Sequence, residues 1–115
     1  MPKPRFVPRI RVVREETIIL GPGKADLLDA IQRTGTIRDA AAELEMSYMR
    51  AWNLVRTMND SFREPLVTTT RGGSEKGHAT LTETGNQALK IYREMERAAE
   101  KAAAPVFAKL KKLMN

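Results

Sequence analysis

Residues 36–57 read TIRDAAAELEMSYMRAWNLVRT, and the break in their apolar rhythm decides the fold. Ile37, Ala40, Ala41 and Leu44 recur at i, i+3, i+4 and i+7, the spacing that lays side chains along one face of a helix. The rhythm stops at Glu45-Met46 and resumes after Ser47. Tyr48, Ala51, Val55, Met58 and Phe62 then form a second helical stripe, with Leu54 and Trp52 at its edges. Thr36 and Ser47 precede the two stripes, and each carries a side-chain oxygen able to satisfy a free backbone N–H at a helix start. Two helices joined by about three residues turn the chain through a steep angle, as in a helix-turn-helix. The small Ala40 and Ala41 let another helix approach closely. Trp52, beside Ala51 and Val55, is expected in the core, and Tyr48 is expected to be mostly buried with its hydroxyl at the surface.

Working outward, Leu27, Leu28 and Ile31 share a face of a preceding helix expected over about Lys24 to Arg33, with Gly35 as its C-terminal cap. Before it, RIRVVREETIIL at 9–20 alternates β-branched residues with arginines and reads as two short strands, and GPG at 21–23 ends them. GPGK lacks the spacing of a phosphate-binding loop and is a strand-to-helix turn. Residues 1–8, MPKPRFVP, form a flexible basic arm with three prolines. After Phe62, Leu66–Thr70 and His78–Leu81 read as strands of a small hairpin around RGGSEKG, whose glycines supply positive φ. Thr82 caps a long last helix carrying Ala88, Leu89, Tyr92, Met95 and Ala99 at helical spacing. Pro105 is expected to kink or interrupt it before an amphipathic tail, VFAKLKKLM. The expected architecture is mainly α with small β: a winged helix-turn-helix with a short N-terminal β-hairpin and a long C-terminal helix. Its parts are an arm at 1–8, the domain at 9–104 and a helical tail at 105–115.

A chain of 115 residues, 42% hydrophobic, supplies one compact core. With no cysteine and a lone histidine, His78, the fold cannot depend on disulfides or on a multi-histidine metal cluster within one chain. The same poverty, with no convergent acid pair, argues against an enzyme, and no cofactor is implied. No apolar run approaches a membrane span and no signal-peptide segment follows the basic start, so the expected place is the cytoplasm, away from membranes. The net charge of +6 points to an acidic partner, double-stranded DNA first. That surplus sits at the two ends: residues 1–16 hold five basic and two acidic side chains, and residues 86–115 seven and three. Residues 36–62 hold three basic and four acidic, so phosphate contacts must come from outside the helix pair, or dimerisation must double the footprint. The near-neutral pair also leaves open a second reading, a winged-helix module whose exposed face binds protein.

In the DNA reading, the helix starting at Ser47 enters the major groove and the hairpin wing meets the flanking backbone or minor groove. Met49, Arg50, Asn53, Arg56, Thr57 and Asp60 lie away from the core; Arg50 can donate a bidentate pair to guanine and Asn53 can pair with adenine. Ser47 and Tyr48 stand where hydroxyls and free N–H groups suit a phosphate, and Thr36 and Arg38 flank them from the supporting helix. Arg71, Lys76 and His78 are the wing's candidates for phosphate.

These words together, LLDAIQRTGTIRDAAAELEMSYMRAWNLVRTMN, then LV, TRGG at 70–73 and ATLTETGNQAL, resemble the N-terminal DNA-binding domain of ModE-type molybdate-responsive regulators, itself similar to that of LysR-type regulators. The most specific part is G-[ST]-I-x-x-A-A before the turn and M-S-Y-x-x-A-W after it. The resemblance covers about Gly23 to Tyr92. It implies a homodimeric, sequence-specific prokaryotic transcription factor, with Ser47, Tyr48, Arg50 and Asn53 opening the recognition helix and Arg71 to His78 as the wing. It also implies a dimer interface built from the N-terminal strands and the last helix. Such regulators sense molybdate through separate small barrel domains. The residues after the wing here look helical, so molybdate is not an expected ligand.

Overall fold

The structure is a computed structural model that describes residues 2–72 and 75–115, without the side chains of 71, 72, 75 and 76. A short hairpin comes first, β1 (Val12–Arg14) antiparallel to β2 (Thr17–Leu20). Three helices follow: α1 (Pro22–Thr34), α2 (Ile37–Glu43) and α3 (Tyr48–Ser61). A second antiparallel hairpin, β3 (Val67–Gly72) with β4 (Glu75–Leu81), leads into the long α4 (Glu83–Lys111). This is the winged helix-turn-helix order. α1 starts two residues before the position expected from its apolar face because Pro22, whose φ is already helical, occupies the first turn where a missing N–H does no harm.

The corner between α2 and α3 follows from its backbone bonds. Glu45 sits at φ 57° in the left-handed region. The Glu45 N–H donates to the Ala42 carbonyl at 3.1 Å, and the Met46 N–H reaches back to that of Ala41 at 3.0 Å. That pattern closes a helix C-terminus, with the next apolar residue folded against the core, as Met46 is. The Ser47 hydroxyl then accepts from the Arg50 N–H at 3.0 Å and opens α3. Thr36 does the same for α2, accepting from the Asp39 N–H at 2.9 Å after Gly35 has ended α1 at φ 82°.

The core holds the faces expected from periodicity: Leu27, Leu28 and Ile31 of α1; Ile37, Ala40 and Ala41 of α2; Ala51, Val55 and Met58 of α3; Leu89 and Tyr92 of α4. Phe62 is half-buried, at the residue that ends α3. Trp52 departs from expectation: it is half-buried and packs only partly against the core, because it falls on the flank of α3 that turns toward the wing.

Two links set the wing against the helices. The Ala79 N–H of β4 donates to the Gly35 carbonyl at 2.8 Å. The Asn59 carboxamide of α3 accepts from the N–H groups of Leu66 and Val67 at 2.8 and 3.1 Å, and donates to the Val67 carbonyl at 3.0 Å. Gly77 lacks positive φ, unlike the role expected of it. It is small because a Cβ there would stand 2.7 Å from the Thr70 carbonyl oxygen across the hairpin.

α4 leaves the domain. Its 29 residues reach about 43 Å at 1.5 Å each. The radius of gyration of 17.0 Å compares with the roughly 13 Å of a compact chain this size. Pro105 does not interrupt it. The proline is exposed, and α4 continues through it to Lys111 although it has no N–H to donate to the Lys101 carbonyl. Residues 6–10 lie along this helix: the Tyr92 hydroxyl donates to the Ile10 carbonyl at 2.7 Å, and the Phe6 and Phe107 rings sit 6.2 Å apart. Burial opposes the charge of Arg93, yet hydrogen bonds to Asp29, Glu96 and Asp26 hold its pKa above the usual arginine value and tie α4 to α1. Among the described residues no helix is long and apolar enough to cross a membrane, and no group of three or more His, Cys, Asp or Glu could hold a metal ion.

Candidate nucleic-acid interface

At roughly 100° per residue, the side of α3 opposite Ala51, Val55 and Met58 carries Met49, Asn53, Arg56 and, near the end of the helix, Asp60, all exposed, with Met49 at 66%. They form a ridge with a recess on either side.

The wing-side recess is a cavity of about 380 Å³ lined by Thr36, Arg38, Tyr48, Trp52, Thr70 and His78, among others. Its chemistry is aromatic and cationic. The Arg38 guanidinium lies over the Tyr48 ring, 4.8 Å from its centroid, and the Trp52 indole N–H donates to the Tyr48 hydroxyl at 2.6 Å. Tyr48 and Trp52 are one helical turn apart, so both fall on this flank. Tyr48 is 40% exposed and thus not mostly buried as expected, since its neighbours are the groove-lining Arg38 and Trp52 and not the core. Its hydroxyl, holding the Trp52 proton donor, still has its own proton to offer. His78 is exposed and paired across the hairpin with Thr70, which brings it to the same recess.

The opposite recess, about 460 Å³, runs between α3 and the first hairpin and is lined by Arg9, Arg11, Arg50 and Thr57, among others. Arg50 therefore stands at the edge of the ridge. The Thr57 hydroxyl is turned back, donating to the Asn53 carbonyl at 2.9 Å, so it presents its methyl side rather than a free donor.

The candidate residues thus fall into three sets. Thr36, Arg38, Tyr48 and His78 share the wing-side recess, with Ser47 capping α3 beside it. Met49, Asn53 and Arg56 make the ridge. Arg50 and Thr57 face the other recess. The side chains of Arg71 and Lys76 lie outside the described residues. Sequence reasoning missed three lining residues. Trp52 was detectable from its i, i+4 relation to Tyr48. Arg9 and Arg11 reach α3 only through the tertiary fold, and no local spacing signals them.

A helix pair with a capped second helix, an exposed polar ridge and a hairpin wing defines a winged helix-turn-helix domain of the DNA-binding regulatory kind. The sequence pattern of the bacterial regulatory helix-turn-helix proteins of the lysR family matches residues 24–86, more than half of the chain. The chain belongs to that family, one of regulators and not of enzymes.

Among similar curated proteins is the molybdenum transport protein ModE of Azotobacter vinelandii, 36% identical over 92 residues, or 80% of this chain and 34% of that protein. The molybdenum-pterin-binding protein MopA of Rhodobacter capsulatus is 41% identical over 83 residues, 72% of this chain and 31% of its own length. The DNA-binding transcriptional dual regulator ModE of Escherichia coli K12 is 28% identical over 88 residues, 76% and 34%. The chain spans about a third of the length of these relatives. A solved structure of a point mutant of S. aureus MepR superposes with a TM-score of 0.54 at 20% identity, covering 83% of this chain and 78% of that one, and shares the fold. The ModE-type resemblance read from residues 23–92 is borne out by these relatives.

Proposed function

We propose that this chain is the DNA-reading domain of a cytoplasmic transcription regulator that binds double-stranded DNA sequence-specifically as a homodimer. The observation that carries the reading is the ridge of Met49, Asn53 and Arg56 standing clear of the domain on a helix whose start is capped by Ser47. An α-helix of this width enters the major groove, where Asn53 suits adenine and Arg56 suits guanine, while Arg50 at the edge of the ridge faces the backbone side. Arg38, Tyr48 and His78 then face one phosphate backbone, together with the wing residues Arg71 and Lys76.

Dimerisation is supported by the outer face of α4. Ile91, Val106 and Leu110 are 55%, 65% and 54% exposed at spacings that, through Met95, Ala98 and Ala102, follow a helical stripe, and Leu113 just past the helix end is 84% exposed. A two-fold pairing of that stripe and of the N-terminal strands sets two recognition helices roughly one helical turn of DNA apart, about 34–36 Å. Selection of bound duplexes from a random pool, followed by anisotropy titration of the winners, tests the function. A motif with two symmetric half-sites is expected, and the absence of any saturable, sequence-selective binding refutes the proposal. Leu110→Glu should shift the sedimentation coefficient from dimer to monomer and weaken binding to the symmetric site.

A further inference from the structure

The helix pair holds three basic and four acidic residues between 36 and 62, too little positive charge to grip a duplex unaided. A helix roughly 10–12 Å across fills a major groove about 12 Å wide, so both of its flanks meet a sugar-phosphate backbone. On the wing side, cationic groups are at hand. On the other side α3 offers only Arg50, and there the fold brings in two arginines from some forty residues earlier.

We propose that Arg9 and Arg11, together with Arg50, form a clamp for phosphodiester groups of the DNA strand across the major groove from the wing. The clamp rests on the DNA reading above. Arg9, Arg11 and Arg50 line one 460 Å³ trench, and all three are exposed. Glu16 is the single carboxylate among the trench-lining residues, so three guanidiniums outnumber it. Lys24 also lines the trench but is buried, with its ammonium donating to the Ile18 carbonyl, and is not counted. A guanidinium presents paired N–H groups that match two phosphate oxygens, which favours arginine over lysine at such a site. Arg9 and Arg11 stand on the irregular strand entering β1. The backbone there is tethered by the bond from the Tyr92 hydroxyl to the Ile10 carbonyl between them, so both side chains start from an anchored segment. They carry no base readout, because the ridge of Met49, Asn53 and Arg56 lies between them and the wing-side recess.

The test is anisotropy on the whole chain with a duplex that the wild type selects and a scrambled duplex, titrated between roughly 50 and 200 mM salt. Arg9→Gln with Arg11→Gln is expected to flatten the log affinity against log salt slope by about 1.8 per subunit bound, two phosphates at about 0.9 each. Affinity should fall alike for both duplexes, and Arg9→Lys with Arg11→Lys should restore the slope. Both side chains are exposed, so unchanged circular-dichroism melting confirms that the variants fold. An unchanged slope in the glutamine variant, beside normal wild-type binding, overturns the clamp and leaves the DNA reading intact. No wild-type binding at all removes both. Inhibition by millimolar inorganic phosphate at constant ionic strength that vanishes in the glutamine variant marks a free-anion pocket instead, and also overturns the clamp.

Discussion

Gly85→Ala should unfold this domain at a markedly lower temperature, although alanine is the better helix former. Gly85 lies in the first turn of α4, where its N–H donates to the capping Thr82 hydroxyl at 2.9 Å. A Cβ at this position would stand 2.1 Å from the Leu66 carbonyl oxygen and 3.0 Å from its carbon. Ordinary carbon–oxygen contact begins near roughly 3.3 Å, so the backbone must move by about 1.2 Å. The atom in the way cannot swing aside, because it belongs to the backbone of the fully buried Leu66 and accepts the Thr82 N–H at 2.9 Å. Moving α4 outward also breaks the bond from the Thr82 hydroxyl to the Pro65 carbonyl at 2.7 Å. Two such bonds at about 1 kcal/mol each, and overpacking of about 1–3 kcal/mol, outweigh the roughly 1 kcal/mol by which alanine favours a helix. The net loss is about 2–4 kcal/mol. For 115 residues the unfolding entropy is about 0.24 kcal/mol per degree, which makes the expected drop in Tm roughly 8–17 °C by calorimetry. Gly23→Ala is the control: nothing lies within 4 Å of a Cβ there, and stability should hold or rise by up to about 1 kcal/mol. A Gly85→Ala protein that melts at or above the wild-type temperature would refute the close approach of α4 to Leu66.

Glu45→Gly should stabilise the domain by about 1 kcal/mol, read in a urea titration, since the residue occupies the left-handed region at φ 57° where a Cβ is disfavoured. Asn59→Ala removes three hydrogen bonds to the start of β3 and leaves buried backbone groups unpaired; a loss of about 2–4 kcal/mol is expected, with the wing amides losing hydrogen-exchange protection first. Tyr92→Phe leaves the Ile10 carbonyl without its donor and should cost about 1–2 kcal/mol. Burial, and after it the charge of Glu96, raises the Tyr92 pKa above 10.0, so the folded state keeps its proton longer than the unfolded chain. That stabilisation is fully present below pH 10 and fades as pH rises through the folded pKa. The difference in stability between wild type and Tyr92→Phe should therefore shrink in alkaline denaturation experiments, and a gap that widens there would contradict the assignment.

Much of the domain is legible as periodicity. Ala40, Ala41, Val55 and Met58 are buried where helical spacing puts them, and Thr36, Ser47 and Thr82 each cap the helix they precede. Caps and apolar stripes are local, set within a few residues by the 3.6-residue repeat, so the order of letters contains them. Trp52 escapes that logic because its two neighbours, Ala51 and Val55, are core residues, and the choice between core and groove turns on where the wing lies. Pro105 escapes it for a related reason. Proline usually ends a helix, but here it is exposed to solvent and the helix runs on through it to Lys111.

Residues 36–57 by themselves determined the helix, corner, helix that carries the ridge, because each step there depends on contacts no more than five residues apart. Which charges meet that ridge was decided only by the tertiary structure. His78 comes to one flank of α3, beside Arg38 of the adjoining helix, and Arg9 and Arg11 come to the other, from segments tens of residues away along the chain. The helix pair is nearly neutral in sequence and lies between cationic recesses in space. Burying the apolar faces of α1, α2 and α3 against one another, and tying the first hairpin and the wing to their edges, is what brings those arginines alongside.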